Sequence, residues 1–140
     1  MSEAYSRKYQ PSMPALRIQL HSAEASRTTD SLIALVDTGA DATIVPRRYL
    51  VEVGAQETAP GWLRGITGER RPVALYFVDI RLDRITFPGV RVVADDLAAE
   101  ILLGRDILNK LPLFLDGPQQ QTDLLDDATA NRLRERRRYA

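Results

Sequence analysis

Apolar and polar positions alternate near the start of the chain. Leu16, Ile18 and Leu20 are apolar, while Arg17, Gln19 and His21 are polar. A period of two marks a half-buried strand, with His21 toward solvent. Residues 1–13 ahead of it are polar, closed off by Pro11 and Pro14, and read as a flexible arm. Ser22 to Asp30 is polar and turn-rich. Leu32-Ile33-Ala34-Leu35-Val36 is a continuous apolar run, short enough for a buried strand. It delivers Asp37 into a Thr38-Gly39 turn. Thr43-Ile44-Val45 predicts a brief strand that Pro46 stops, and a short helix follows from Pro46 to about Val51, ended by Gly54.

The second half repeats this strand grammar. Pro60 to Gly68 carries three glycines and Trp62, and Arg71 to Arg81 is rich in β-forming residues. Together they predict a hairpin with its tip at Gly65-Ile66-Thr67-Gly68, with Trp62 packing on its inner face. Ile85-Thr86-Phe87, Pro88-Gly89 and Val90-Arg91-Val92-Val93 predict another hairpin. Ile101-Leu102-Leu103 predicts a short buried strand, and Gly104 to Lys110 a helical turn or two. Leu113 to Leu115 predicts a strand, Asp116-Gly117-Pro118 a turn, and Gln119 to Leu124 a last strand. Residues 125–140 place acids first and arginines last, which complements a helix dipole and predicts a charged, solvated helical tail. The fold class expected is all-β with one or two short helices, since nothing alternates as βαβ. One weak internal echo exists: an apolar strand enters a glycine turn at Gly39 and again at Gly104.

Composition narrows the chemistry. At 140 residues the chain has the length of one domain with a real core. Lys+Arg and Asp+Glu both count 19, so no net field argues for nucleic acid. The absence of cysteine excludes a thiol nucleophile, a disulfide scaffold and a Cys-based zinc site. The lone His21 argues against a His-rich metal site and a Ser-His hydrolase. No metal or cofactor is expected. The first ten residues lack the apolar core of a signal peptide, and no apolar run is long enough to cross a bilayer. The expectation is a soluble, cytoplasmic protein without a membrane partner.

Asp37 is the residue with chemistry to explain. A carboxylate ending a buried strand is partly desolvated, which raises its pKa, while nearby amide N–H groups lower it. Asp-Thr-Gly taken alone is a weak signal that reads first as an Asx-type turn. Acid–base hydrolysis by carboxylates ordinarily uses two of them, and the chain offers this motif once.

The wider context carries a resemblance. Ala34-Leu35-Val36-Asp37-Thr38-Gly39-Ala40-Asp41-Ala42-Thr43-Ile44-Val45 resembles the active-site loop of the retropepsin family, the dimeric aspartic proteases of retroviruses and their cellular and bacterial relatives. Ile101-Leu102-Leu103-Gly104-Arg105-Asp106-Ile107-Leu108 resembles that family's second signature. The glycine-rich hairpin lies between the two, where the family has its flap. The resemblance covers residues 14–124 and implies a closed β-barrel subunit with a flap, active as a homodimer on extended peptides.

The same resemblance implies roles. Asp37 would pair with its symmetry mate, the two sharing one proton and activating a water. Thr38 would lock the two loops together. Gly39, Ala40 and Asp41 would meet the substrate backbone. Gly65, Ile66, Thr67 and Gly68 would cover it. Gly104 and Arg105 would brace the loop, with Arg105 ion-paired to Asp41. Leu35, Val45, Ile66 and Ile101 are candidate subsite walls. The rival expectation is a catalytically weak peptide-binding or dimerisation module of the same fold. Both termini run longer than the family's subunit needs, so the dimer interface sheet has room to be built differently.

Overall fold

The computed structural model describes residues 1–65 and 67–139. In chain order its elements are β1 (Ser2–Ala4), β2 (Ala15–Ser22), β3 (Arg27–Thr28), β4 (Leu32–Val36), β5 (Ile44–Pro46), α1 (Arg47–Val53), β6 (Gln56–Glu57), β7 (Gly61–Arg64), β8 (Arg70–Val73), β9 (Leu75–Leu82), β10 (Ile85–Asp95), β11 (Ile101–Leu103), α2 (Arg105–Leu108), β12 (Leu113–Asp116), β13 (Gln121–Leu124) and α3 (Asp127–Arg138).

The main sheet closes on itself. Its order is β3-β2-β4-β11-β5-β10-β9-β6, and β2 also pairs with β9. Ala15 to Ile18 pair with β4, whereas Gln19 to His21 pair with β9. One strand thus bridges both ends of the sheet, and β2, β4, β11, β5, β10 and β9 form a barrel without free edges. The alternation of β2 is realised: Leu16, Ile18 and Leu20 are buried in the core beside Val78, Ile80 and Leu82 of β9. His21 is half-buried, with its ring Nδ1 2.8 Å from Thr28 Oγ1 on β3.

Helix α1 caps the barrel with Leu50 and Val53. It stops at Gly54, whose left-handed φ of 70° is the glycine C-cap conformation. Arg47 at its start donates to Asp96 at 2.6 Å and to the Tyr76 hydroxyl at 3.0 Å, tying the helix to the end of β10.

Two expectations about strands are corrected. Ile85 to Val93 is not a hairpin but part of one long strand, β10. Pro88-Gly89 forms a bulge with a register shift between Phe87 and Val90. Gly89 takes φ 58° and donates to Asp79 Oδ1 at 2.8 Å, which no ladder partner would allow. The real turn is Asp83-Arg84, between paired Leu82 and Ile85, with Asp83 at φ 54°. The residues read as an N-terminal arm include β1, which pairs antiparallel with β13. Because β13 also pairs with β12, the chain ends form a second, three-stranded sheet in the order β1-β13-β12.

Candidate active site

The two sequence signatures lie side by side. Strands β4 and β11 are parallel neighbours, with Ala34, Leu35 and Val36 opposite Ile101, Leu102 and Leu103. Both are apolar throughout because both are covered on each face. The ladder extends one residue beyond β4, since the Asp37 N–H donates to the Leu103 carbonyl at 3.1 Å. Asp37 therefore leaves the barrel at the level of Gly104.

The Asp37 loop is a tight turn. The Ala40 N–H donates to the Asp37 carbonyl at 3.2 Å, and the Gly39 N–H donates to Asp37 Oδ1 at 3.0 Å. The second bond fixes the carboxylate's orientation. A Cβ on Gly39 would stand 3.2 Å from that same oxygen, so glycine keeps the approach open. Asp37 is half-buried, and Thr38 and Gly39 beyond it are exposed.

Gly104 sits where no side chain fits. A Cβ there would lie 2.6 Å from the Ala42 carbonyl carbon and 2.7 Å from its oxygen. That contact lets the start of α2 press against the loop. The Arg105 N–H donates to the Ala40 carbonyl at 2.8 Å. The Arg105 guanidinium donates from Nη1 to the Thr38 carbonyl at 2.7 Å and from Nη2 to Asp41 Oδ1. The predicted Arg105–Asp41 ion pair is thus present, and one arginine spans both ends of the turn.

Sequence reasoning assigned no role to Thr43 and Asp106, yet they carry the buried half of this brace. Thr43 is fully buried. Its hydroxyl donates to Asp106 Oδ1 at 2.8 Å and accepts from the Gly104 N–H at 3.1 Å. The only hint was the presence of both residues inside the two matching segments.

The hairpin of β7 and β8 has its tip where predicted, in a sheet of its own. The Gly65 N–H donates to Glu69 O at 2.8 Å, the Gly68 N–H to Gly65 O at 3.0 Å, and Gly68 takes φ 89°. Thr67 and Gly68 are exposed, and Ile66 lies outside the described residues. Trp62 was expected to pack; it is 68% exposed, because Gly61 and Leu63 take the half-buried positions of β7. Val45 and Ile101 are buried in the barrel core, and Leu35, which alternates with the core residues Ala34 and Val36 of β4, is buried as well.

Among the described residues no helix is long and apolar enough to cross a membrane. Residues 24–110 match the family model described as gag-polyprotein putative aspartyl protease. No curated protein matches the chain. Among solved structures, a retropepsin-like aspartic protease from Rickettsia conorii is 13% identical with a TM-score of 0.58, over 87% of this chain and 86% of that one. The EIAV protease complexed with the inhibitor HBY-793 is 20% identical with a TM-score of 0.51, over 70% of this chain and 86% of that one. At those identities the likeness is one of fold.

Proposed function

The chain belongs to the gag-polyprotein aspartyl protease family, with a retropepsin-like fold, and on that premise we propose that it is an aspartic endopeptidase whose catalytic centre is assembled from the Asp37 loops of two copies. The observation that carries this reading is the presentation of Asp37. It leaves a covered strand, its carboxylate is oriented by the Gly39 N–H, and its loop is braced from beneath by Gly104, Arg105, Thr43 and Asp106. A solvated Asx turn needs none of that support.

Asp-Thr-Gly occurs once in the sequence, so the second carboxylate comes from a second chain. Two carboxylates in contact share one proton, and their titration belongs to the pair. The ionised Asp37 takes a proton from a water held between the two. That water's oxygen attacks the scissile carbonyl carbon. The protonated Asp37 donates a hydrogen bond to the carbonyl oxygen as negative charge develops on it. Collapse of the tetrahedral intermediate breaks the C–N bond as the Asp37 that took the water's proton passes it to the amine nitrogen. Thr38 is exposed beside Asp37 and would meet the partner loop. Backbone groups of Gly39, Ala40 and Asp41 would hold an extended peptide as an added strand. The Gly65–Gly68 tip closes over it; a two-stranded ribbon is marginally stable by itself, which suits a moving lid.

The test is cleavage of an unstructured peptide library at mildly acidic pH. Wild type is expected to cut, and Asp37→Asn to abolish cutting with association unchanged. Equal behaviour of the two proteins would refute the assignment.

A further inference from the structure

The zero net charge of the chain conceals where its charges lie. Five arginines, Arg132, Arg134, Arg136, Arg137 and Arg138, fall within seven residues of α3, with Glu135 the one acid among them. The rest of the chain holds 14 basic against 18 acidic residues. The neutral protein is thus an acidic body carrying one concentrated basic helix.

That helix takes its arginines away from the body. Asp126 caps its start, and Ala130 is its one buried residue. From Asn131 to Tyr139 every position is exposed. Among the described residues none of the five arginines pairs with a carboxylate. Arg132 donates to Thr129 Oγ1 at 3.2 Å and Arg134 to Asn131 Oδ1 at 2.9 Å, both neutral groups of the same helix. The acids Asp126 and Asp127 stand at the opposite end, beside the body. Arg136 to Arg138 complement the dipole of the last turn. The like-charge pairs one turn apart, Arg132 with Arg136 and Arg134 with Arg138, destabilise a helix. Charges that repel one another and find no partner in their own chain call for an anion from outside.

Their angular placement selects the kind of anion. At about 100° per residue, Arg132 and Arg136 form one stripe along the helix. Arg134, Arg137 and Arg138 form a second stripe on the opposite side, centred about 170° from the first. A flat acidic surface would meet one stripe and leave the other in water. A bilayer would need an apolar face, and the one large apolar side chain of α3 is Leu133. A groove walled by phosphates answers both stripes at once. The major groove of B-form DNA is about 12 Å wide, and a helix with its side chains is about 10–12 Å across. The deep, narrow major groove of A-form RNA does not admit it. The helix uses arginine throughout and no lysine, and the guanidinium fork matches phosphate oxygens.

We infer that α3 is a docking helix for duplex DNA. Its exposed turns enter the major groove, with Arg132 and Arg136 on the phosphates of one strand and Arg134, Arg137 and Arg138 on those of the other. These contacts go to the backbone, so binding is independent of base sequence. The acidic body stays outside the groove, and α3 tethers the barrel to the duplex.

The test titrates full-length protein onto a fluorescein-labelled DNA duplex of about 20 base pairs, read by anisotropy at several salt concentrations. Five phosphate contacts predict that log affinity falls against log salt with a slope of about −4.5. Arg132→Gln with Arg136→Gln, and separately Arg134→Gln with Arg138→Gln, are each expected to reduce that slope by about 2. Each pair is also expected to weaken binding at low salt about tenfold or more. Arg27→Gln with Arg91→Gln, exposed on β3 and β10, should leave both quantities unchanged. All six positions are exposed, so the barrel keeps its thermal midpoint in every variant. An RNA duplex of the same sequence is expected to bind about tenfold more weakly or worse. Absence of DNA binding, loss from only one of the two α3 pairs, or equal affinity for the RNA duplex would overturn groove docking. Capture by phosphatidylserine vesicles without binding to the DNA would overturn it in favour of a membrane surface.

Discussion

Asp106 accepts both hydrogen bonds that Thr43 donates: the Thr43 hydroxyl reaches Oδ1 at 2.8 Å and the Thr43 N–H reaches Oδ2 at 3.1 Å. This pair fastens the segment after Asp37 to the helix after Gly104. Thr43→Val keeps the shape and removes the hydroxyl. It leaves the Gly104 N–H without its acceptor and Asp106 Oδ1 without one donor. Destabilisation of about 1–3 kcal/mol is expected from buried groups left unpaired. Urea unfolding of the variant beside wild type measures it.

Arg105 behaves differently because its partner is exposed. The Asp41 side chain is 86% and the Arg105 side chain 42% accessible. Such a pair is worth about 1 kcal/mol or less to folding. Arg105→Ala should therefore barely move the unfolding midpoint, yet it releases the Thr38 carbonyl and loosens the loop proposed to meet the partner. Sedimentation at low concentration is expected to show weaker association. Unchanged association would mean that the brace matters only within one chain.

Thr122 offers a stabilising substitution. It is fully buried on β13, and its hydroxyl has no hydrogen-bond partner among the described residues. An unpaired buried hydroxyl carries an uncompensated desolvation cost. Thr122→Val should raise stability by about 1 kcal/mol, read as an upward shift of the thermal midpoint.

Helix α3 should fray in acid before the barrel opens. The Asp126 carboxylate accepts from the Thr129 N–H at 2.7 Å, which holds its pKa below the usual carboxylate value. A depressed folded-state pKa gives stabilisation that is present above the unfolded value of about 3.9. It is lost as pH falls through the lower folded value. Amide exchange along residues 127–138 should quicken over that window while the exchange of β4 and β11 stays slow. Asp126→Ala should remove the pH dependence.

Much of this arrangement was legible in the sequence, for a physical reason. The Asp37 loop, Gly104 and the 61–73 hairpin are local events, where an apolar run meets a turn. What escaped depends on distant contacts. Thr43 and Asp106 meet only once β11 settles between β4 and β5. Pro88-Gly89 has the composition of a turn, and only its pairing with β9 makes it a bulge. Val45 and Ile101 have the composition of cleft walls as much as of core, and only closure of the barrel sets them in its core. Trp62 is apolar, yet alternation on a short ribbon turns it outward.

The central claim is that catalysis needs one Asp37 from each of two chains, and subunit mixing tests it most directly. Wild type and Asp37→Asn are combined at fixed total concentration, above the dimer dissociation constant, and left to exchange. If mixed dimers are inactive, activity follows the square of the wild-type fraction, and an equal mixture retains about a quarter of the wild-type rate. A linear decline, with about half the rate at equal mixture, would mean that each chain works alone and would contradict the shared site.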